Sequence, residues 1–584
     1  MLSQEKSKFK IDKQILKKRI LPTILISVLI PLIICLSIPF EVYANNLDEF
    51  LFTASNILPM LFLMFFTIFS VIFLILFFLP EKAYKIMCAL TISFALVLFL
   101  QSNYLNATAN SLAGDNLAIT APSTFMLILN TSIWIIIPAV AVVLAIIKDK
   151  FGIMPTIATI ISIIILATQL ITPISCILTN NKIFLSIDER LSLSGANESH
   201  KILTNEYLKG LSTSDNIYYF CIDRFDEDYA ENAYQKYPGI YDNLTGFTWF
   251  QDNISIYSHT YPAVTNMLTL SDYDAEIARS EYLNQAYLNN QTLSVLADND
   301  YQINLHTQSF YAYTDACYFD DYVQNAKSVS TYGIKNSFML TWNMLKLSFF
   351  RVSPLILKNL YIFINSNSCN TYVQELDENN NEKFSLDMKE VCDFVNTTSV
   401  KTTDNKLFNF IHVEGCHDLV YDENWNKVGL SFNKDISIAV KSSFMIIDKY
   451  IEAMKQAGVY DNATIIITGD HGKDNTKPYE EGVLTALFVK PSNSSAEPLQ
   501  ISQAQTSHDN IWATIVKSAN INTNIDFGKS VFEIPENVDQ TRRHVFHTYT
   551  STLDEYTYQI TGSGRNFDNW EIVGHKFYNK SLMD

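Results

Sequence analysis

The chain has 584 residues, 48% of them hydrophobic, and a formal net charge of −18. That length exceeds what one core usually fills, so at least two domains are expected, and the acidic balance disfavours nucleic acid as a partner. The apolar residues are concentrated between about 20 and 180, which excludes a protein that is water-soluble along its whole length.

Residues 1–19 form a basic tail carrying Lys6, Lys8, Lys10, Lys13, Lys17, Lys18 and Arg19. Five apolar runs follow, Ile20 to Val42, Phe52 to Leu79, Ala83 to Gln101, Thr124 to Ile147 and Phe151 to Leu178, and together they predict a membrane domain over residues 20–178. The third run is the shortest and leans on Tyr84 and Tyr104 as interfacial anchors. A cleaved leader is disfavoured, because the first run is long and others follow it. Lys82, Lys85, Lys148 and Lys150 lie in alternate loops, whereas Glu41 to Phe50 and Ser102 to Ser123 contain no Lys or Arg. Positive charge therefore predicts a cytoplasmic amino terminus and, after an odd number of spans, an extracellular remainder.

A polar linker is expected over 179–215, then an external domain over 216–584. Asn216 to Ile222, Leu407 to Val413, Ala463 to Thr468 and Leu484 to Val489 read as buried parallel strands. Ile436, Val440, Phe444, Ile447, Ile451 and Met454 step by three and four, describing a helix that stops at Gly458. Helix followed by strand at this spacing predicts an α/β fold, and the Tyr-, Thr- and Val-rich tail from His544 to Phe577 predicts a small antiparallel addition. The eight cysteines show no disulfide framework, although a Cys369–Cys392 bridge is open.

Chemistry is carried by residues placed just past apolar runs. Asp223 ends Asn-Ile-Tyr-Tyr-Phe-Cys-Ile-Asp, Asp470-His471 ends Ile-Ile-Ile-Thr-Gly-Asp-His, and Thr260 opens Thr-Tyr-Pro-Ala-Val-Thr. Buried strands deliver such residues to the carboxyl edge of an α/β sheet. Two carboxylates and an imidazole suit a divalent cation, which can also bind the Thr260 hydroxyl and activate it as a nucleophile. Asp223, Thr260, Asp470 and His471 are thus the expected metal ligands, with Thr260 also catalytic.

These residues resemble the alkaline phosphatase superfamily, in its sulfatase-like branch of membrane-bound phosphotransferases. Asn216 and Asp223 match the start and end of that family's first strand, Thr260, Pro262 and Leu268-Thr269 its nucleophile segment, and Asp470-His471-Gly472 its late metal pair. Sulfatases oxidise Cys or Ser to formylglycine and place an Arg four residues on. Thr260 and Val264 stand at those positions, which disfavours sulfate-ester hydrolysis. A threonine nucleophile, five amino-terminal spans and an external domain resemble lipoteichoic acid synthases and lipid A phosphoethanolamine transferases. His412-Val-Glu-Gly-Cys-His417 and Ser507-His508-Asp509-Asn510 resemble segments whose histidines contact substrate phosphate or a second metal there. His417, His508 and His412 are thereby implied to bind substrate, with His417 and His508 ranked above His412. Arg224 stands where sulfatases have a second metal Asp, and Leu270 where a Gly is usual.

The resemblance implies an extracellular α/β, alkaline-phosphatase-like domain on a bacterial-type plasma membrane. It also implies a divalent cation, manganese first and zinc or magnesium as alternatives. The implied reaction moves a phospholipid head group, glycerophosphate or phosphoethanolamine, through a phospho-threonine onto a cell-wall or capsular glycan or polymer. A sulfatase-like hydrolase or phosphodiesterase, and a non-catalytic scaffold, are the alternatives. Phe338 to Ile364 mixes apolar side chains with Lys346, Arg351 and Lys358, and reads equally as a membrane-surface segment or a buried helix pair broken at Pro354.

Overall fold

The structure, a computed structural model, describes residues 13–106, 123–147, 153–193, 201–312, 323–361, 366–417, 419–430, 435–473, 484–494, 497–548 and 553–578. Most of the basic tail and the Lys148–Lys150 loop lie outside these residues. The chain forms two compact units, Met1–Asn197 with Tyr332–Gln374, and Glu198–Thr331 with Glu375–Asp584. Five membrane helices followed by an α/β domain with a small antiparallel addition is the plan expected from the sequence.

In the first unit, five helices are long and apolar enough to cross a membrane: Arg19–Asn45 (α1), Ala54–Phe78 (α2), Glu81–Asn103 (α3), Thr124–Ile146 (α4) and Thr159–Thr179 (α5). The most apolar window of α1 is 44% buried against 11% for α4, so α1 is the inner helix and α4 a peripheral one. A π-turn over Leu32–Ser37 interrupts α1 directly after Pro31, where the proline ring removes a donor and widens the backbone. Leu63, Ile135 and Ile171 point outward, forming apolar faces suited to lipid.

The segment expected to be linker is built in. Arg190, on the helix Ile187–Leu193, is buried and donates to the carbonyls of Leu47 at 2.7 Å, Phe50 at 3.2 Å and Phe52 at 2.9 Å. A polar residue here serves as a clamp on a loop whose carbonyls lack helical partners. The domain limits expected at 179–215 and 216–584 therefore shift. The helix Ser337–Val352, expected within the external domain, packs Leu340, Met344, Leu345, Leu347 and Val352 into one apolar cluster with Ile38, Phe50, Ile57, Leu61 and Ile92. Ser337–Val352 thus buries one face, as one of the two readings had it, while Ile356 and Leu357 beyond Pro354 are exposed.

The second unit is organised on a seven-stranded sheet. Its strands are Asn216–Ile222 (β1), Thr248–Ile254 (β2), Tyr301–His306 (β3), Lys406–Val413 (β4), Thr464–Gly469 (β5), Leu487–Lys490 (β6) and Gln500–Ser507 (β7). They lie in the order β7-β2-β6-β5-β1-β4-β3. Strand β1 is buried throughout because both faces are covered: Ile217, Tyr219 and Cys221 enter one apolar cluster, Tyr218, Phe220 and Ile222 the other. The helix Thr260–Thr269 (α6) packs on the first face and Ser437–Ala457 (α7) on the second. Helix α7 ends at Gly458, whose φ of +71° is the left-handed cap the sequence announced.

Strands β1, β4 and β5 are parallel, as expected, and β3, which was not among the expected strands, joins them parallel to β4. Strand β6 corrects the expectation, since it runs antiparallel to both β5 and β2. Thr541–His547, Leu553–Thr561 and Trp570–Tyr578 form the three-stranded antiparallel addition. Buried Arg542 fastens it, donating to the Asp252 carboxylate at 3.0 Å and to the carbonyls of Asp252 at 2.6 Å and Thr506 at 3.0 Å. Cys369 and Cys392 are free thiols, so that bridge is absent.

Candidate active site

Three neighbouring parallel strands bring the polar residues together. Asp223 follows β1, and Asp470 and His471 follow β5, whose last residue Gly469 is level with Ile222. His412 lies in β4 opposite Cys221. Two glycines permit the close approach. A Cβ on Gly469 would sit 2.7 Å from the Phe225 carbonyl oxygen, and one on Gly415 would sit 2.2 Å from Ile222 Cγ2. Thr260 is the first residue of α6, where unpaired backbone N–H groups and the helix dipole favour negative charge. Leu270 closes α6 at φ +59° in place of glycine, its side chain packed on the core.

Thr260 Oγ1 is 3.2 Å from His471 Nε2. His471 Nδ1 is 2.7 Å from the Gly472 carbonyl oxygen, which can only accept, so Nδ1 carries a proton and Nε2 is the nitrogen that faces Thr260. The same nitrogen is 3.8 Å from Asp223 Oδ1 and 3.6 Å from Asp470 Oδ2. Asp470 Oδ1 accepts the N–H groups of Arg224 at 2.8 Å and His471 at 2.9 Å. Burial works to raise the Asp470 carboxyl, but His471, His412, the Arg224 N–H and the Thr260 hydroxyl outweigh it and hold the group below the usual carboxylate range.

The histidines sort by distance. Ligand atoms of Asp223, His417 and His471 lie within 4.8 Å of one another, as do those of Asp223, His412 and Asp470. His412 Nε2 is 3.8 Å from Asp223 Oδ2, and its Nδ1 is 3.0 Å from the Thr307 hydroxyl. Burial, with repulsion from His417 and His471, pulls His412 down to about 4 despite Asp470, so the ring is neutral and able to ligate. His508 is in neither group. It is buried with Nε2 3.4 Å from the Thr468 hydroxyl and 3.3 Å from that of Thr485, and burial pulls it to about 4. His412 stands in a strand adjoining β1, whereas His508 follows the edge strand β7 and feels the Asp470 charge.

A divalent cation fits these residues. Asp470 Oδ2 and His412 Nε2 are buried without a hydrogen-bond partner among the described residues, a costly state that a cation would relieve. Two carboxylates, imidazoles and a hydroxyl suit manganese, zinc or magnesium without selecting one.

Sequence reasoning missed Thr307, His259 and His544. Thr307 follows β3 and carries the strand-end signal used for Asp223. The His259 ring centroid is 6.3 Å from that of His471. His544, on the first strand of the antiparallel addition, has Nδ1 2.8 Å from the Ser255 carbonyl oxygen, which leaves Nε2 as an acceptor. Its strand gives no signal of where it docks.

No family model matches the sequence, and no curated protein does. Solved structures similar to the chain include a phosphonate monoester hydrolase from Silicibacter pomeroyi, at 13% identity over 60% of this chain and 88% of that one with a TM-score of 0.37. A lipoteichoic acid synthase from Listeria monocytogenes is 13% identical over 63% and 85%, with a TM-score of 0.34. A protein in the alkaline phosphatase superfamily from Vibrio parahaemolyticus is 8% identical over 64% and 85%, with a TM-score of 0.34. Scores this low leave the chemistry to be argued from the side chains.

Proposed function

We propose that this chain is a metal-dependent phosphotransferase that takes a phospholipid head group, glycerophosphate or phosphoethanolamine, onto Thr260 and passes it to a hydroxyl of a cell-envelope glycan or polymer. The observation that carries this reading is the Thr260 hydroxyl 3.2 Å from His471 Nε2, at the amino end of a buried helix and beside two carboxylates. A hydroxyl so placed is a nucleophile rather than a helix cap.

Asp223, Asp470, His471 and Thr260 would hold a divalent cation, manganese first, with His412 and His417 adjoining. Once bound, it would lower the pKa of the hydroxyl and offset charge on the phosphoryl oxygens. Thr260 Oγ1 attacks phosphorus, the bond to the diacylglycerol oxygen breaks, and that oxygen takes up the proton Thr260 gives up. The acceptor hydroxyl then attacks the phospho-threonine and returns a proton to Thr260. His417 and His412 orient phosphoryl oxygens, and His508 supports the wall behind Asp470. Lysines in the cytoplasmic loops support a multi-pass plasma-membrane protein with its amino terminus inside and the second unit outside.

The test is intact mass spectrometry of full-length protein in detergent, with manganese and either phosphatidylglycerol or phosphatidylethanolamine. A metal-dependent adduct on Thr260 with diacylglycerol released is expected, its mass naming the head group, and Thr260→Ala should show neither. A folded, metal-loaded protein that forms no adduct and releases no diacylglycerol would sink the proposal.

A further inference from the structure

Lys358 stands in the 3-10 turn Leu355–Tyr361 that follows the helix Ser337–Val352, within the first unit. It is only 1% exposed, and its Nζ has no hydrogen-bond partner among the described residues. The Phe350 ring centroid is 4.2 Å from it, which supplies a π-face but no countercharge. Burial, then repulsion from Arg351, pull the ammonium down to about 8. Arg351 is itself committed to Glu41, Nη1 to Oε1 at 3.0 Å. A buried cation without an anion costs several kcal/mol, and proteins rarely keep one without use.

The turn is held by a chain of amides rather than left to move. Leu355 N–H donates to Asn130 Oδ1 at 3.0 Å, and Asn130 Nδ2 and Trp134 Nε1 both donate to Gln101 Oε1, at 2.7 and 2.9 Å. Gln101 Nε2 donates to Asn106 Oδ1 at 2.9 Å, and the Asn106 amide donates to the Arg351 carbonyl. Such a network fixes the cations in place. Immediately beside Lys358, Ile356 and Leu357 are exposed apolar side chains.

We propose that Lys358 and Arg351 bind the phosphodiester oxyanion of a phospholipid, with Ile356 and Leu357 lying against its acyl chains. The oxyanion supplies a negative charge that none of the described residues gives Lys358, and the apolar pair makes the ligand a lipid rather than a free phosphate. The site is made wholly of the first unit, so it stands whether or not Thr260 transfers a head group.

The test uses full-length protein in detergent, stripped of lipid and titrated with phosphatidylglycerol, with diacylglycerol, which lacks phosphate, and with glycerol 3-phosphate, which lacks chains. Phosphatidylglycerol should bind and raise the melting temperature, and the other two should bind at least tenfold more weakly. Lys358→Met should melt higher than wild type without lipid, because an unpaired buried cation is gone, yet bind phosphatidylglycerol at least tenfold more weakly. Lys358→Arg should retain binding within about threefold. Binding should persist without added manganese, which separates this site from the transfer chemistry. Unchanged lipid binding by Lys358→Met, or a Lys358→Met that melts lower or fails to fold, overturns the proposal. Equal binding of diacylglycerol removes the oxyanion site, and equal binding of glycerol 3-phosphate removes the lipid.

Discussion

Gly415 lies between His412 and His417 with φ +51°, and its missing Cβ is what lets the loop rest on Ile222 at the foot of Asp223. Gly415→Ala is expected to cost about 1–3 kcal/mol through overpacking and left-handed strain. It should also weaken manganese binding about tenfold by shifting Asp223, read by thermal unfolding and by calorimetric titration; unchanged affinity would show that the carboxylate does not depend on this contact. Asp448 on α7 offers a pH-dependent counterpart. Burial, only partly offset by Asn243, pushes its carboxyl up to about 6 from an ordinary 3.8. A carboxyl whose folded pKa is raised contributes stability that is full below about 4 and lost as pH rises through about 6. Asp448→Asn should therefore melt higher than wild type at pH 7, with the gap closing toward pH 4, and a gap independent of pH would refute the assignment. Asp223, Asp470 and His471 were legible in the sequence because each directly follows an apolar run whose strand could have no other polar end. His412 was legible only through the resemblance and Thr307 not at all, since their meeting depends on the register of β4 between β1 and β3.

Among the elements, apolar runs identified the strands they encode, whereas the direction of β6 was not legible, because an apolar strand reads the same whichever way it runs. The helix Ser337–Val352 posed the same difficulty: its apolar stripe announced a surface to be covered but not what would cover it. Gln101, at the end of α3, is the hub of the amides that hold the turn after that helix. Gln101→Leu strands Asn130 Nδ2, Trp134 Nε1 and Asn106 Oδ1, each at about 1–3 kcal/mol if it stays dry. The full-length variant is expected to melt several degrees lower in detergent, and a melting temperature within a degree of wild type would mean that water replaces the lost amide.

At the scale of the molecule, the uneven distribution of apolar residues was enough to separate a membrane part from a polar part, and the alternating lysines predict its orientation. Protease added to intact cells should digest the second unit while leaving a tag on the amino terminus protected, and the opposite pattern would invert the topology. Composition could not locate the boundary between the units, because residues 332–374 belong with the helices although strands flank them in sequence. That interleaving bears on how the protein is made. When residue 331 leaves the ribosome, β1, β2 and β3 have emerged while β4 to β7 are still unsynthesised, and the bundle lacks the helix that fills its core until residue 374 follows. Neither half can finish before the other is well advanced, so a gene divided between codons 197 and 198 would encode one polypeptide with an open groove and another carrying an orphaned greasy helix.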